Sequence, residues 1–345
     1  MRTLILAAAV LALVVGVSSL HGQAVERQAQ NTVQVTFDDW TVPTPGSHPH
    51  DPAFGLDNTL WYTGQNSNKL GRVDMASGQF REFDLPRGHG PHGLVSDASG
   101  NIWYTANGAA AIGRLDPKTG QVTEYKMPDP AARDPHTPIF AQDGTLWFTV
   151  QGGNFVGKLD PRTGAITLKP SPAPRLLPYG IKVNSKGVPF FDLFGANKIG
   201  SIDPKTMAIT EYTLPNPQAR PRRIAIGAND IVWYTDYSRG YLGRLDPQTK
   251  QVKEYPSPGG ARSWPYGITT TADGVVWYSE SGMDPNTLVR FDPRTETFQK
   301  WDIPSGGGIV RHMVTAPNGD LLLAYSGINK VGRVRIRVAA RQTAE

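Results

Sequence analysis

Residues 91–125 read PHGLVSDASGNIWYTANGAAAIGRLDPKTGQVTEY, and copies of this pattern follow one another along the whole 345-residue chain at spacings of 42 to 45 residues. The residue after the opening proline, or at the equivalent place in the last copy, is in turn His50, His92, His136, Tyr179, Arg222, Tyr266 and Arg311. Six of these seven residues are followed eleven places later by an aromatic residue. A period of this size indicates one propeller blade per copy.

Each copy contains four short alternating runs that are separated by turn residues. Asp143-Gly144 and Asn318-Gly319 are hairpin signals between the first and second runs. Segment 116–120 (DPKTG) places proline and glycine where a turn requires them. The sequence therefore predicts an all-β fold, a seven-bladed β-propeller with four-stranded antiparallel blades.

The two ends of the repeat array complement each other. Segment 35–43 (VTFDDWTVP) matches the fourth strand of a copy, such as 81–86 (REFDLP), whereas the last copy stops after its third strand near Ile336. We expect the N-terminal strand to complete the last blade and so remove its open edge. The predicted boundaries are a propeller domain over 33–338 and a C-terminal tail over 339–345.

The first residues predict export. Arg2 precedes an apolar run over 4–17, too short to span a bilayer, and a small-residue segment follows at 22–24. This is typical of a cleavable signal peptide over 1–24, and no cysteine stands near the cut to carry a lipid anchor. We therefore expect a periplasmic or secreted protein.

Composition restricts the partners. The formal charge is +5, or +4 once Arg2 has left with the signal peptide, and the basic residues are dispersed. A dispersed charge argues against nucleic acid as a partner, and no later run is apolar enough for a membrane anchor. We expect a monomer that takes a small-molecule substrate or ligand into its central funnel.

Function is expected where the copies differ at one shared place, because residues repeated in every blade serve the fold. The residues after the opening prolines are expected to face, across the first two strands, the residues fourteen places later. Those later residues are Gly64, Ala106, Val150, Leu193, Asp236, Glu280 and Tyr325. Together the two sets are predicted to rim one central mouth.

Histidine usage narrows the site further. Six of the seven histidines lie close to the start of a copy, and His50, His92 and His136 follow the opening proline in three adjacent blades. Because histidine transfers protons near neutral pH and binds metals, these three are predicted to form a site. A three-His transition-metal site is one form that it could take. The other three, His48, His89 and His312, are interpreted as solvated loop residues.

Three carboxylates are further candidates. Asp134 stands two residues before His136 and either orients its imidazole or caps a loop. Asp236 and Glu280, in neighbouring blades, either hold a hard cation or balance nearby arginines.

The repeat resembles the streptogramin lyase (virginiamycin B lyase-like) family over residues 35–336. The resemblance rests on segments such as 178–181 (PYGI), 143–149 (DGTLWFT), 112–115 (IGRL) and 210–215 (TEYTLP). It implies a seven-bladed propeller that opens cyclic depsipeptide antibiotics by elimination across an ester carbon–oxygen bond. It also implies Mg²⁺ as cofactor and a role in antibiotic resistance.

By motif, the two working histidines of that family correspond to His92 and His136, and the glutamate of its Glu-Pro-His segment corresponds to Asp134. The tyrosine of the next blade corresponds to Tyr179. A second glutamate, which shares the metal in the family, corresponds to Val150 here. The candidate metal ligands are Asp134, His136, Glu280 and Asp236.

The leading hypothesis is a carbon–oxygen lyase. In it His136, oriented by Asp134, removes a proton α to a carbonyl, and His92 assists the leaving oxygen. A substrate carboxylate or enolate would be held by Arg222 or Arg311, and the remaining substrate-binding candidates are His50, Tyr179 and Tyr266. Two other functions stay open: a non-catalytic extracytoplasmic binding propeller, and a metal-dependent lactone hydrolase of the gluconolactonase type.

Overall fold

The structure is a computed structural model in which residues 32–339 are described. The predicted signal peptide (1–24) and the residues from 340 onward lie outside this range. Twenty-eight strands form seven four-stranded sheets, which confirms the predicted seven-bladed β-propeller. Residues Gln34–Arg337 constitute one compact unit. Over residues 32–339, every helix is too short or too polar to cross a membrane.

The first four blades each use four consecutive strands, numbered from the inside outward. Blade 1 contains β2 (Pro49–Phe54), β3 (Thr59–Gly64), β4 (Lys69–Asp74) and β5 (Phe80–Asp84). Blade 2 contains β6 (Pro91–Ser96), β7 (Ile102–Ala106), β8 (Ala111–Leu115) and β9 (Val122–Lys126). Blade 3 contains β10 (Pro135–Phe140), β11 (Leu146–Val150), β12 (Phe155–Leu159) and β13 (Ile166–Pro170). Blade 4 contains β14 (Pro178–Val183), β15 (Pro189–Leu193), β16 (Lys198–Ile202) and β17 (Ile209–Thr213).

The remaining blades follow the same order until the chain closes on itself. Blade 5 contains β18 (Pro221–Ile226), β19 (Val232–Asp236), β20 (Tyr241–Leu245) and β21 (Val252–Pro256). Blade 6 contains β22 (Pro265–Thr270), β23 (Val276–Glu280), β24 (Thr287–Asp292) and β25 (Thr297–Asp302). Blade 7 contains β26 (Val310–Thr315), β27 (Leu321–Tyr325) and β28 (Lys330–Ala339). Short 3₁₀ turns cover Asn107–Ala109, Ala228–Asp230, Gly260–Arg262 and Ser326–Ile328.

The N-terminal strand β1 (Thr32–Thr41) lies beside β28 as the fourth strand of blade 7, as the sequence predicts. The Asp38 carboxylate accepts hydrogen bonds from the guanidinium groups of Arg333 and Arg335 at 2.8 to 3.0 Å. The first and last strands are therefore joined by charge as well as by backbone pairing.

The repeated aromatic residue of the second strand holds each blade together. Trp103 is buried and stacks on Tyr125 of the fourth strand, with 5.5 Å between ring centroids. The guanidinium of Arg114, on the third strand, lies 5.7 Å from the Trp103 ring. One tryptophan thus ties together three strands of its sheet, which agrees with the structural role expected of a repeated residue.

Every first strand carries a β-bulge at the same place. In blade 3, Pro135 pairs with Val150 and Pro138 with Phe148, so three steps along β10 match two along β11. The other six blades show the same shift. A bulge interrupts the alternation of side chains and bends the strand. Two consecutive residues, such as His136 and Thr137, therefore both turn towards the propeller axis.

In five of the seven blades a hydroxyl on the second strand stabilises the bulge and also bonds to the next blade, whereas blade 4 has Asp192 and blade 7 has Ala324 at this place. Thr105 Oγ1 accepts a hydrogen bond from the Gly93 N–H of its own blade at 2.9 Å. The same hydroxyl donates to the His136 carbonyl of the next blade at 2.8 Å. Equivalent pairs of bonds are made by Thr63, Thr149, Thr235 and Ser279.

Blade 4 has Asp192 where those blades have a hydroxyl. Its Oδ1 accepts the Gly180 N–H at 2.8 Å, and its Oδ2 is buried without a partner. Burial raises the pKa of Asp192 well above its usual range, although Arg223 opposes this shift. Asp192 thus reproduces one of the two functions of the threonine hydroxyl, the acceptance of the N–H, and among residues 32–339 it makes no bond to the next blade.

We predict that Thr105→Val lowers the free energy of unfolding by roughly 2–4 kcal/mol, because it leaves a buried N–H and a buried carbonyl without partners. Thr105→Ser retains both bonds and serves as the matched control, with a loss of about 1 kcal/mol for one methyl group. Denaturant unfolding of both variants checks this. Equal losses in the two variants would show that the two hydrogen bonds of the Thr105 hydroxyl contribute no more to stability than its methyl group.

Candidate functional site

The residues after the opening prolines form one ring around the axis, which we call the upper ring: His50, His92, His136, Tyr179, Arg222, Tyr266 and Arg311. Each of its first four side chains contacts the next one. The distance between side-chain ring centroids is 3.8 Å for His50–His92, 3.7 Å for His92–His136 and 3.8 Å for His136–Tyr179. The Tyr179 and Tyr266 hydroxyls are hydrogen-bonded to each other. The structure therefore brings together all seven residues that the sequence places at this mouth.

Hydrogen bonds fix the proton positions on two of the imidazoles. His50 Nδ1 lies 2.8 Å from the Asp51 carboxylate, and His92 Nδ1 lies 3.1 Å from the His136 carbonyl. Both partners are acceptors, so each Nδ1 carries the proton and each Nε2 has a free lone pair.

The neighbouring His136 has the opposite tautomer. Its Nδ1 lies 2.9 Å from Thr137 Oγ1, and that oxygen also accepts a hydrogen bond from Arg223 at 3.1 Å. All three groups are satisfied when Thr137 donates its hydroxyl proton to Nδ1 of His136. The ring proton of neutral His136 then lies on Nε2.

Burial keeps these histidines uncharged. It is the largest cause that lowers the pKa of His50, His92 and His136 well below the usual range, and the Arg223 guanidinium lowers all three further. A lowered histidine pKa means that the neutral form persists below pH 6.5. The upper ring therefore offers neutral imidazoles at physiological pH.

Together with Arg311, Arg222 is one of the two cations of the upper ring. Its guanidinium carbon lies 4.0 Å from the Tyr266 ring centroid and 4.2 Å from that of Tyr237, with Tyr179 and Phe194 also within 5.4 Å. Over residues 32–339 it has no carboxylate partner, and its buried Nε is without a hydrogen bond. The aromatic faces thus stabilise a charge that stays available to an anion.

The bulges bring a second set of residues to the axis, which we call the middle ring: Asp51, Gly93, Thr137, Gly180, Arg223, Gly267 and His312. An ion pair crosses the axis here, because Arg223 Nη2 lies 2.8 Å from Asp51 Oδ1 and both side chains are buried. Burial alone would raise the pKa of Asp51, but the Arg223 charge outweighs it and the pKa is lowered.

Glycine in three blades allows the close approach of the neighbouring blade at the middle ring. A Cβ on Gly93 would lie 2.5 Å from Pro138 Cδ, and one on Gly180 would lie 2.6 Å from Asp192 Oδ1. Both distances are shorter than real carbon contacts. Only some of the seven blades can therefore place a side chain in the middle ring.

The sequence prediction missed Asp51 and Arg223, and it was wrong about two histidines. His312 is not a solvated loop residue but a buried member of the middle ring. His89 is also buried, and it bonds to the Tyr104 hydroxyl at 2.8 Å and to Glu124 at 2.7 Å. The sequence did contain a signal for these residues. The residue directly after each upper-ring residue is glycine in three copies of the repeat, whereas Asp51, Arg223 and His312 replace it in others.

The residues fourteen places after the upper ring do not face it, contrary to expectation. Because of the bulge, Val150 pairs with Pro135 rather than His136, and it is packed in the blade core. The residues one place further on reach the funnel instead. Among these, Phe194 contacts Tyr179 and Arg222, and Tyr237 stacks on the exposed Trp264.

Asp134 does not orient His136. Its carboxylate accepts hydrogen bonds from the Asn107 side chain and from the Gly152 N–H, whereas His136 Nδ1 bonds to Thr137. Burial raises the pKa of Asp134 to about 6 against these two hydrogen bonds. The loop-capping alternative describes this carboxylate better.

The carboxylates predicted to bind Mg²⁺ are used elsewhere. Glu280 accepts three hydrogen bonds, from Ser257, the Gly259 N–H and Thr287, at 2.5 to 2.6 Å. Asp236 pairs with Arg239 at 3.1 Å and accepts the Arg220 N–H at 3.0 Å. With an apolar residue, Val150, at the second glutamate position, this donor set does not fit a Mg²⁺ ion.

A different group of ligand atoms does converge. Over the described part of the chain, potential ligand atoms of His50, Asp51 and His92 lie within 4.8 Å of one another. Two imidazoles and one carboxylate suit a transition metal better than Mg²⁺. However, Asp51 is already neutralised by Arg223, which reduces the electrostatic attraction for a cation.

Comparisons with known proteins agree with this architecture. A family model described as the virginiamycin B lyase family matches residues 17–261. A solved streptogramin B lyase is 27% identical with a TM-score of 0.80, and the match covers 88% of this chain and 98% of that one. Virginiamycin B lyase from Staphylococcus aureus is 22% identical with a TM-score of 0.79, over 87% and 99% of the two chains.

A catalytically inactive virginiamycin B lyase from Staphylococcus aureus, solved with Quinupristin, is 23% identical with a TM-score of 0.79, over 87% of this chain and 99% of that one. A search of curated proteins returned no match.

We predict that stability falls as the pH is lowered from 7 to 5.5. The four axial histidines, His50, His92, His136 and His312, have pKa values well below 6.5 when folded, so only the unfolded chain takes up their protons. Each adds about 1.4 kcal/mol per pH unit between its folded pKa and 6.5. Asp192 opposes them, because it is protonated in the folded state.

Denaturant unfolding at several pH values measures this slope, and His92→Gln should reduce it by about one proton. An unchanged slope in that variant would show that His92 is protonated in the folded protein.

Proposed function

The chain belongs to the virginiamycin B lyase family, and we propose that it is a secreted carbon–oxygen lyase that opens an ester in a cyclic depsipeptide or related substrate. The observation that carries the proposal is the composition of the upper ring. Neutral imidazoles stand there in one ring with Arg222, a cation that has no carboxylate partner within the described residues 32–339. Elimination next to a carbonyl requires this pair of functions, a base and a stabiliser of the enolate charge.

The tautomers assign the two histidine roles in the reverse of the sequence hypothesis. His92 Nε2 has a free lone pair and takes the proton α to the substrate carbonyl. The bond between the neighbouring carbon and the ester oxygen breaks, and a carbon–carbon double bond forms. His136 Nε2–H donates a hydrogen bond to the departing ester oxygen, which leaves as a carboxylate. His92 then releases the abstracted proton to solvent, so that the net products are the alkene and the carboxylic acid in its ionised form plus that proton.

Arg222 binds the carbonyl oxygen as negative charge develops on it. Its guanidinium is already oriented by the aromatic rings of Tyr266 and Tyr237, so little reorganisation is needed during the reaction. Arg311, whose guanidinium lies 5.9 Å from the Tyr266 ring, adds positive charge on the same side. In this chain the two arginines take the part that a metal ion would otherwise have.

We expect the mature protein to convert quinupristin to an open-chain product of unchanged mass. Elimination adds no water, whereas hydrolysis adds the mass of one, so mass spectrometry in ¹⁸O-labelled water separates the lyase from the lactone hydrolase. The rate should be insensitive to EDTA, because the candidate Mg²⁺ ligands are engaged in other bonds. Saturable binding without turnover would instead indicate a binding propeller.

We predict that His92→Ala and His136→Ala each lower kcat/KM by roughly 10²–10⁴-fold, and Arg222→Met by roughly 10²–10³-fold. The loss in His136→Ala should shrink for substrates with a more acidic leaving carboxylic acid, because their leaving carboxylate needs less stabilisation by a hydrogen bond. His89→Gln is the control, a buried histidine outside the ring, which should lower Tm but keep kcat. Full activity in His136→Ala would refute the site.

A further inference from the structure

The axis carries a third ring of residues, which we call the lower ring: Ala53, Val95, Ile139, Lys182, Ala225, Thr269 and Val314. Each of them pairs with the residue eleven places after its upper-ring residue, for example Val95 with Trp103 and Lys182 with Phe190. Six members are apolar or small, and one is a lysine. Lys182 therefore breaks the symmetry of the lower ring as the histidines break that of the upper ring.

Lys182 lines a cavity at the end of the channel opposite to the upper ring. The cavity has a volume of about 240 Å³ and opens between the ends of the first strands, near Phe54 and Phe140. Its lining is mixed: Val95, Ile139 and Val314 supply apolar surface, and Asp51, Thr137 and His312 of the middle ring supply polar groups. At roughly 30 Å³ per water-sized group, it has room for about eight heavy atoms.

Two polar groups of this cavity lack a partner in the described protein. The Lys182 ammonium has no hydrogen bond or ion pair among residues 32–339, and His312 Nδ1 is buried without a hydrogen bond. An unpaired ammonium in a narrow cavity is costly unless a ligand or ordered water compensates it.

The local charges leave one positive charge unbalanced. Asp51 is neutralised by its ion pair with Arg223, and burial keeps the pKa of His312 well below its usual range. Burial, with the nearby Arg223, also lowers the pKa of Lys182 to about 8, so its amine remains mainly charged at pH 7. The cavity therefore combines apolar side chains with one cation whose charge is not balanced.

We propose that this cavity is a second ligand site, independent of the upper ring, that binds a small monocarboxylate with a short aliphatic chain. The carboxylate pairs with the Lys182 ammonium and accepts a hydrogen bond from His312, and the chain contacts Val95, Ile139 and Val314. A ligand with one negative charge balances the cavity, whereas a dianion or a cation does not.

Calorimetric titration of the mature protein with butyrate and hexanoate tests this proposal. We expect saturable binding of both, tighter for hexanoate because it buries more apolar surface. Lys182→Met should weaken binding by about tenfold or more, the effect of a charge-assisted hydrogen bond. Lys182→Arg should retain most of it. Butylammonium, with the same chain and the opposite charge, should not bind.

Two controls place the ligand. Lys186→Met removes an exposed lysine of the same blade and should leave butyrate affinity unchanged. His136→Ala should also leave it unchanged, which separates this cavity from the upper ring. Lys182→Met should keep or raise Tm, because it removes an unpaired cation. Absence of saturable butyrate binding to the wild type, equal binding to Lys182→Met, or binding of butylammonium would each overturn the proposal.

Discussion

A hydroxyl that serves two blades at once is the interaction on which the axis of this propeller depends. In five blades the bulge of the first strand leaves one N–H outside the sheet ladder, and a hydroxyl, as in Thr105, accepts it while donating to a carbonyl of the next blade. Such an acceptor keeps a bulge at the buried axis from leaving unsatisfied backbone groups; in blade 4 the Asp192 carboxyl accepts the N–H, and blade 7 has Ala324 at this place. The bulge allows two residues per blade, instead of one, to face the axis.

This geometry explains how one scaffold carries two unlike chemistries in adjacent layers. The upper ring is aromatic and rich in imidazole, whereas the middle ring is an ion pair framed by glycines. The two layers are linked, because Asp51 and Thr137 of the middle ring determine the proton positions of His50 and His136 above them. The tautomers of the upper ring thus depend on residues that a substrate in the funnel would not touch.

The sequence was sufficient for the fold and for the composition of the upper ring, since both follow from counting along a regular period. It could not give the pairing across the blade, because a bulge of one residue is invisible in the period. Because of that single residue, the predicted partners of the upper ring, such as Leu193 and Asp236, lie one position before the residues that reach the funnel, Phe194 and Tyr237. Nor could it reveal the Asp51–Arg223 pair, whose members are 172 residues apart and meet only when the ring closes.

The closure of blade 7 also sets an order on folding. Strand β1 is synthesised before any other strand, and its partner β28 is synthesised after all of them. Strand β1 therefore has no partner until the chain of the six blades between them has been made. A waiting strand is an open template for other chains, and inward charge is a common protection against such pairing. Asp38 fulfils that role until Arg333 and Arg335 arrive to neutralise it. These ion pairs thus favour closure of blade 7 by the C-terminal strand of the same chain over pairing with another strand.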